Sequence, residues 1–318
     1  VAQAVEQVAE VEQLLDLGDL LDRLRDGFMA LSQGEVNAPG RNELTMPDEA
    51  FLLGMPGRLR DGAMVVKIVT VFESNLERGL PSHLATIAVH DPETGACQAF
   101  IDGTYITAIR TSAAAAVATD VLARRDATTL AIIGAGVQGE HHLRTFPLVR
   151  DFEEIRIASL YAEDAHRLAA LHPRAHAVDD PAAAVEGADV VALATHAAQP
   201  VIEPEWIAPG THVSSVGYRP PDGELPRALL DRSLFVETRE AFEPTPVGCA
   251  ELAGRDPNQA TEIGEVLLGR KPGRTHDDEI TVYKAMGHVV EDIVATELVL
   301  RAHRDGARPS LGRFTFVR

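Results

Sequence analysis

The stretch "TLAIIGAGVQGEHH", Thr129 to His142, limits the fold of this chain more than any other. An apolar run, then Gly134, Gly136 and Gly139 at GxGxxG spacing, then a polar segment reads as buried strand, tight turn and helix start. The glycines permit the turn and let backbone N–H groups approach a pyrophosphate lying on the positive end of the helix. The spacing alone is a weak signal, and its continuation strengthens it. "EIRIASL", "ADVVALAT", "THVSSVG" and "SLFVE" follow, the first of them separated by helical stretches. Alternation at that period predicts parallel βαβ units. The expected class is α/β, with a Rossmann doubly wound domain inserted behind a separate N-terminal α/β unit.

What precedes the glycine turn has a different character. Leucines and Phe28 recur at helical spacing from Val11 to Leu31, predicting one amphipathic helix. "MVVKIVTVF", "HLATIAVHD" and "CQAFIDG" are β-rich, with the turn signal "DPETG" before the third, and predict antiparallel strands. An alanine-rich helix follows with Thr107 as its expected N-cap, and a last helix is expected from about Gly287 to Arg304. The expected division is 1–112 plus 305–318 for the first domain and 113–304 for the nucleotide-binding one.

A net charge of −19 opposes a nucleic-acid or anionic membrane partner. No stretch approaches ~18 uninterrupted apolar residues. The first 24 residues carry acids and no basic, apolar leader pattern, and the two cysteines have no CxxC spacing, so a reducing, cytoplasmic location is expected. No metal is expected: His172 and His176 flank Pro173, which interrupts a helix, and His141 and His142 are adjacent on a helix and point apart.

Three cations occupy awkward places. Lys67 interrupts an apolar run whose two strand faces both look covered; it either snorkels from an edge strand or serves as a substrate-binding or acid/base group. Arg110 falls in the first turn of its expected helix, where a cation is disfavoured unless a ligand anion is present; a solvated arginine or a pair with Asp102 is the alternative. Arg41 follows "NAPG" on a loop and reads equally as a surface charge. At the end of the second Rossmann strand, Ser159 stands where an acid would mark NAD, with no arginine after it to mark NADP. The nucleotide expected is therefore NAD or NADP, undivided.

Arg41, Met55-Pro56, Lys67, "DGTYITAIRTSAAAA", "GAGVQGEHHL", "SSVG" and "GHVVED" come in the order seen in one family. The sequence resembles the ornithine cyclodeaminase/μ-crystallin family over nearly its whole length. The resemblance implies an N-terminal substrate and dimerisation domain, a Rossmann domain binding NAD(H) or NADP(H), and a homodimer joined through the N-terminal sheets. It places Arg41, Lys67, Arg110 and Met286 around the carboxylate of a small amino or imino acid. To the cofactor it assigns Ser82, Arg110, Thr111, Gly134, Gly136, Val137, Gln138, Gly139, Ser159, Thr195, Ser214, Ser215, Val216, Gly217 and Ala285. One departure stands out. Cyclodeaminases present an aspartate after "VG", and here "SSVGYRPPDGELP" places Arg219 there, with Asp222 nearby. An arginine cannot take a proton from an amine at working pH. The expected function is thus an NAD(P)H-dependent reductase or dehydrogenase acting at the α-carbon of an imino or amino acid, with Lys67 and Arg219 as catalytic residues. A cyclodeaminase-like lyase using bound NAD and a non-catalytic NADPH and ligand binder are the alternatives.

Overall fold

Strand pairing in the computed structural model, which describes residues 5–8, 10–47, 50–217, 219–306 and 313–314, divides the chain into two sheets. The first begins with β1 (Val5–Val8). Then come α1 (Val11–Leu14) and α2 (Leu17–Ser32), two helices where the spacing predicts one. Asp16 turns extended and its carboxylate accepts the Asp19 N–H at 2.9 Å, so a cap interrupts the helix. Strands β2 (Val36–Asn37), β3 (Asn42–Thr45), β4 (Phe51–Leu59), β5 (Met64–Val71), β6 (His83–His90) and β7 (Cys97–Asp102) follow. They pair antiparallel in the order β2-β4-β5-β6-β7, β3 pairs beside β4, and β1 adds parallel to β7.

The β5 run is not covered on both faces. Val65, Lys67, Val69 and Val71 turn inward, while Ile68 on the opposite face remains 44% exposed. Strict alternation means Lys67 shares the core face, and this rules out the snorkelling reading.

Helix α3 (Gly103–Leu122) starts four residues before Thr107, with the Thr104 N–H on Asp102 Oδ1 at 2.9 Å. Thr107 is therefore interior, and Arg110 lies in the second turn, where the macrodipole argument for a ligand anion lapses. The boundary between the two units falls within this helix, after Arg110.

The second unit, Thr111–Gly287, is built on β8 (Thr129–Ile133), α4 (Val137–Thr145), β9 (Glu154–Ala158), α5 (Ala162–Ala169), β10 (Ala175–Ala177), α6 (Pro181–Val185), β11 (Val190–Leu193), β12 (His212–Ser215), β13 (Ser233–Val236), β14 (Ala260–Glu262), α7 (Ile263–Leu267) and β15 (Thr281–Lys284). All pairings are parallel, in the order β10-β9-β8-β11-β12-β15-β13-β14. Strand order reverses between β8 and β11, the switch point at which open α/β sheets bind ligands. Ile133, Leu193, Val213, Val236 and Val282 belong to the core of this unit.

The chain then returns to the first unit through α8 (Val289–Arg304) and β16 (Arg313–Phe314), the latter antiparallel to β1. The sequence division put α8 with the nucleotide-binding half; the structure puts it with the first unit. A Cβ on Gly57 of β4 would lie 2.5 Å from Val289, and one on Gly27 of α2 would lie 3.2 Å from Val290 and Val294. Missing side chains on two elements therefore let α8 seat closely, and its apolar pattern alone could not say on which sheet. Of the tail expected to complete this unit, 307–312 and 315–318 lie outside the described residues.

Candidate active site

Lys67 is fully buried on β5, paired in register with Met55 of β4. Its Nζ donates to Asp292 Oδ1 in the first turn of α8 at 2.9 Å and lies 2.7 Å from Oδ2 as an ion pair. Arg110 donates from Nε to Asp292 Oδ1 at 3.1 Å and from Nη1 to Glu291 Oε2 at 2.6 Å. Glu291 also caps α8, accepting the His288 N–H at 2.8 Å, while His288 Nδ1 accepts from Val290 N–H at 3.1 Å. Two adjacent acids are tolerated here because they lie at a positive helix end and each meets a cation.

Burial, with the Arg110 charge beside it, lowers the Lys67 pKa to about 8 against the pull of Asp292. Burial alone would raise the Asp292 carboxyl, but the Arg110 and Lys67 charges outweigh it and hold it below its ordinary value. His288 is pushed to about 3 by burial and then by the charge of half-buried Arg41. The first unit thus brings Lys67 and Arg110 together on Asp292, with Arg41 near enough for its charge to act on His288. Sequence reading quoted "GHVVED" only as part of a resemblance and missed Glu291 and Asp292 as partners. The available signal was a pair of acids opening an otherwise apolar helix. Ser82, also in this unit, sits before β6 with its hydroxyl 3.0 Å from His83 Nδ1.

In the second unit the three glycines have three different reasons. Gly134 has φ +113° and presses on the end of β11, where a Cβ would come 2.4 Å from the Ala194 carbonyl oxygen. Gly139 packs α4 onto the turn, its notional Cβ 2.0 Å from Gly134 O. Gly136 is exposed and meets nothing within 4 Å, so its backbone is open to a ligand at the α4 N-terminus formed with Val137 and Gln138. These features fit a dinucleotide pyrophosphate.

The other strand ends gather close by. Thr195, after β11, has its methyl 3.1 Å from a notional Cβ on Gly134. Thr195, Ser215 and Gly217 all bond to Glu224, a buried acid that sequence reading did not single out. Val216 N–H donates to Leu193 O at 3.2 Å, buried Ser214 lies within β12, and Ala285 N–H donates to Ser215 O at 2.9 Å. Met286 packs against the core of this unit and donates its N–H to Glu237 at 2.8 Å, while Thr111 is half-buried in α3. Ser159 is half-buried at the end of β9, followed by Leu160, which is 89% exposed. Arg219 is half-buried in the loop after β12, its carbonyl accepting the Gly223 N–H at 3.1 Å. Asp222 is an exposed side chain paired with Arg227 at 3.3 Å. Among the described residues, no group of three or more His, Cys, Asp and Glu is arranged to hold a metal ion, and no helix is long and apolar enough to cross a membrane.

A doubly wound sheet with a glycine turn at its switch point, joined to a unit carrying a buried cation cluster, defines a dinucleotide-binding protein with a separate charged site. Residues 1–306 match the ornithine cyclodeaminase/mu-crystallin family, and the chain belongs to it. The ketimine reductase mu-crystallin of Mus musculus is 35% identical over 278 residues, covering 86% of this chain and 87% of the relative. The solved Delta(1)-pyrroline-2-carboxylate reductase of Thermococcus litoralis, in complex with NADH and L-proline, superposes with a TM-score of 0.88 at 31% identity over 95% of this chain and 98% of that one. An archaeal alanine dehydrogenase dimer with bound NAD gives a TM-score of 0.87 at 25% identity, covering 99% and 100%.

Proposed function

We propose that this protein is an NAD(P)H-dependent oxidoreductase that reduces an imine at the α-carbon of a small imino acid, cyclic ketimine carboxylates being the first class to test. The observation that carries this reading is a fully buried lysine held on the Asp292 carboxylate that Arg110 shares, surroundings that lower the lysine's pKa to about 8. A group of that pKa can hold a proton at neutral pH and release it within reach of working pH. Arg41 and Arg110 bind and orient the substrate carboxylate, Lys67 Nζ donates its proton to the imine nitrogen, and Asp292 holds Nζ in place. Bound NAD(P)H supplies the hydride. Gly134, Gly136 and Gly139 carry the pyrophosphate, and Arg219 contacts substrate or cofactor phosphate.

The cyclodeaminase reading loses its base, because the position after "VG" is Arg219 and Asp222 is engaged by Arg227 at the surface. The bare outer face of β5 and β6, with Ile68 and Leu84 exposed, supports a homodimer through the first sheet. Free Cys97 and Cys249 fit a cytoplasmic location.

The test mixes the protein with NADH or NADPH and pyrroline- or piperideine-2-carboxylate and follows 340 nm absorbance. Stoichiometric nucleotide oxidation is the expected result. Ammonia and proline from ornithine and NAD, without net absorbance change, would establish the lyase instead. Dissociation constants for the two nucleotides decide the preference.

A further inference from the structure

We propose that Glu224 is the positioning residue for the nicotinamide half of the dinucleotide, tying the ends of β11 and β12 to the loop that carries Arg219. This assignment rests on the dinucleotide reading above. In a doubly wound sheet the strands on one side of the switch point serve the adenosine half and those on the other side serve the second nucleotide. Here β8, β9 and β10 lie on the first side, and β11 and β12 on the other.

Glu224 is completely buried, and four donors converge on it. Oε2 accepts from the Thr195 N–H and hydroxyl, both at 2.7 Å; Oε1 accepts from the Ser215 hydroxyl at 2.9 Å and the Gly217 N–H at 2.6 Å. Only a carboxylate offers both oxygens as acceptors to two donors each. A glutamine would turn an amide N–H₂ against one of these donor pairs. Its own chain position makes Glu224 a loop clasp as well. Gly217 opens the loop and Glu224 ends it, Asp222 N–H bonds Ala198 O at 3.2 Å, and Val201 N–H bonds Glu224 O at 3.0 Å. Gly217 has no room for a side chain, since a Cβ would meet the Glu224 carboxyl carbon and the Thr195 carbonyl oxygen, each at 2.4 Å.

Lys284 brackets the same turn from the other side. Its Nζ donates to Gly217 O at 2.6 Å and to the Ser215 hydroxyl at 3.2 Å, and pairs with Glu251 at 3.1 Å. A fully buried carboxylate and a fully buried ammonium on one three-residue strand end are costly to desolvate. A turn that needed only to continue the chain would not require them. Holding Ser215–Gly217 and Thr195 in fixed register preorganises the surface that the second nucleotide meets.

The test is calorimetric titration of wild type, Glu224→Gln and Glu224→Asp with NADH, NADPH and ADP-ribose, which lacks nicotinamide. Glu224→Gln is expected to weaken the preferred dinucleotide at least about tenfold, as for loss of hydrogen bonds to a buried charge, while ADP-ribose stays within about twofold. Glu224→Asp keeps the carboxylate and is expected to recover part of the loss. Equal weakening of both ligands, or of neither, overturns the assignment while leaving the dinucleotide reading intact. Should Glu224→Gln fail to fold, Ser215→Ala removes one donor only, and an unchanged ratio of dinucleotide to ADP-ribose affinity in that variant overturns it too. A wild type that binds none of the three ligands would sink the dinucleotide reading and this assignment with it.

Discussion

Lys67 and Asp292 form an ion pair across 225 positions of sequence, 2.7 Å from Nζ to Oδ2, with neither side chain open to water. The pair joins the middle of β5 to the first turn of α8, and through Asp292 it is shared with Arg110. Taking both charges out of water is costly, and their attraction roughly repays the cost only while both are present.

Removing one partner should therefore be worse than removing both. Asp292→Asn is expected to lower unfolding free energy by ~3–5 kcal/mol in urea, the range for breaking a buried pair. Lys67→Met combined with Asp292→Leu is expected to regain most of that stability and to have no turnover. A double variant as unstable as the single one would mean that the attraction within the pair is not what the single substitution removes.

The lowered pKa of Lys67 fixes the direction of the pH dependence. Imine reduction consumes the Lys67 proton and is expected to decline above pH about 8, whereas oxidation of the corresponding amino acid should rise through the same pH. The lysine's contribution to stability has the matching sign. Between about 8 and the model-peptide value of 10.5 the unfolded chain holds the proton that the native state has released, so this contribution improves with rising pH. Initial rates in both directions across pH 6 to 10 check it; two profiles with the same limb would remove Lys67 from proton transfer.

Gly136→Ala and Gly139→Ala should separate binding from folding. At Gly139 the added methyl overlaps Gly134 O at 2.0 Å, and a loss of about 3 kcal/mol or more is expected. At Gly136 the methyl meets no protein atom, so the melting temperature should hold while dinucleotide affinity falls by about tenfold where the backbone meets phosphate. Calorimetry and titration on both variants distinguish them.

Acid should unfold this protein through its buried histidines. Burial pushes His142 to about 4, and burial with nearby Arg274 and Arg150 pushes His212 to about 3; His288 is likewise near 3. A histidine that stays neutral in the native state stabilises above its unfolded pKa, and that stability is lost as pH falls from about 6.5 toward the folded value. Melting temperature is expected to drop across pH 6.5 to 4, and His212→Gln, which loses the titrating ring, to flatten the drop.

Ile68 points away from the core on β5, and its neighbours on that face include Leu44 and Leu84, both exposed. Ile68→Glu is expected to yield a monomer in sedimentation with an unchanged circular dichroism spectrum; a variant that stays dimeric places the interface elsewhere.

The nucleotide-binding half was largely legible because its signals are local. Strand, glycine turn and helix occupy fourteen consecutive residues, and alternation of short apolar runs repeats the message. Helix starts were less so. Thr107 is a good cap by type, but Asp102 binds the Thr104 N–H and starts α3 earlier. Arg110 is a functional candidate for a reason the sequence did not contain, since its partners Glu291 and Asp292 arrive about 180 residues later.

What the amino-acid order determined by itself is whatever depends on neighbours along the chain: periodicity, turn glycines, the choice between parallel and antiparallel pairing. What only the tertiary structure decided is which buried charge answers which. Coulomb attraction in a dry interior acts over a few ångströms of space and takes no account of sequence separation. Hence Lys67 had to wait for α8 to supply Asp292, and Glu224 for four donors from three residues to converge on one carboxylate.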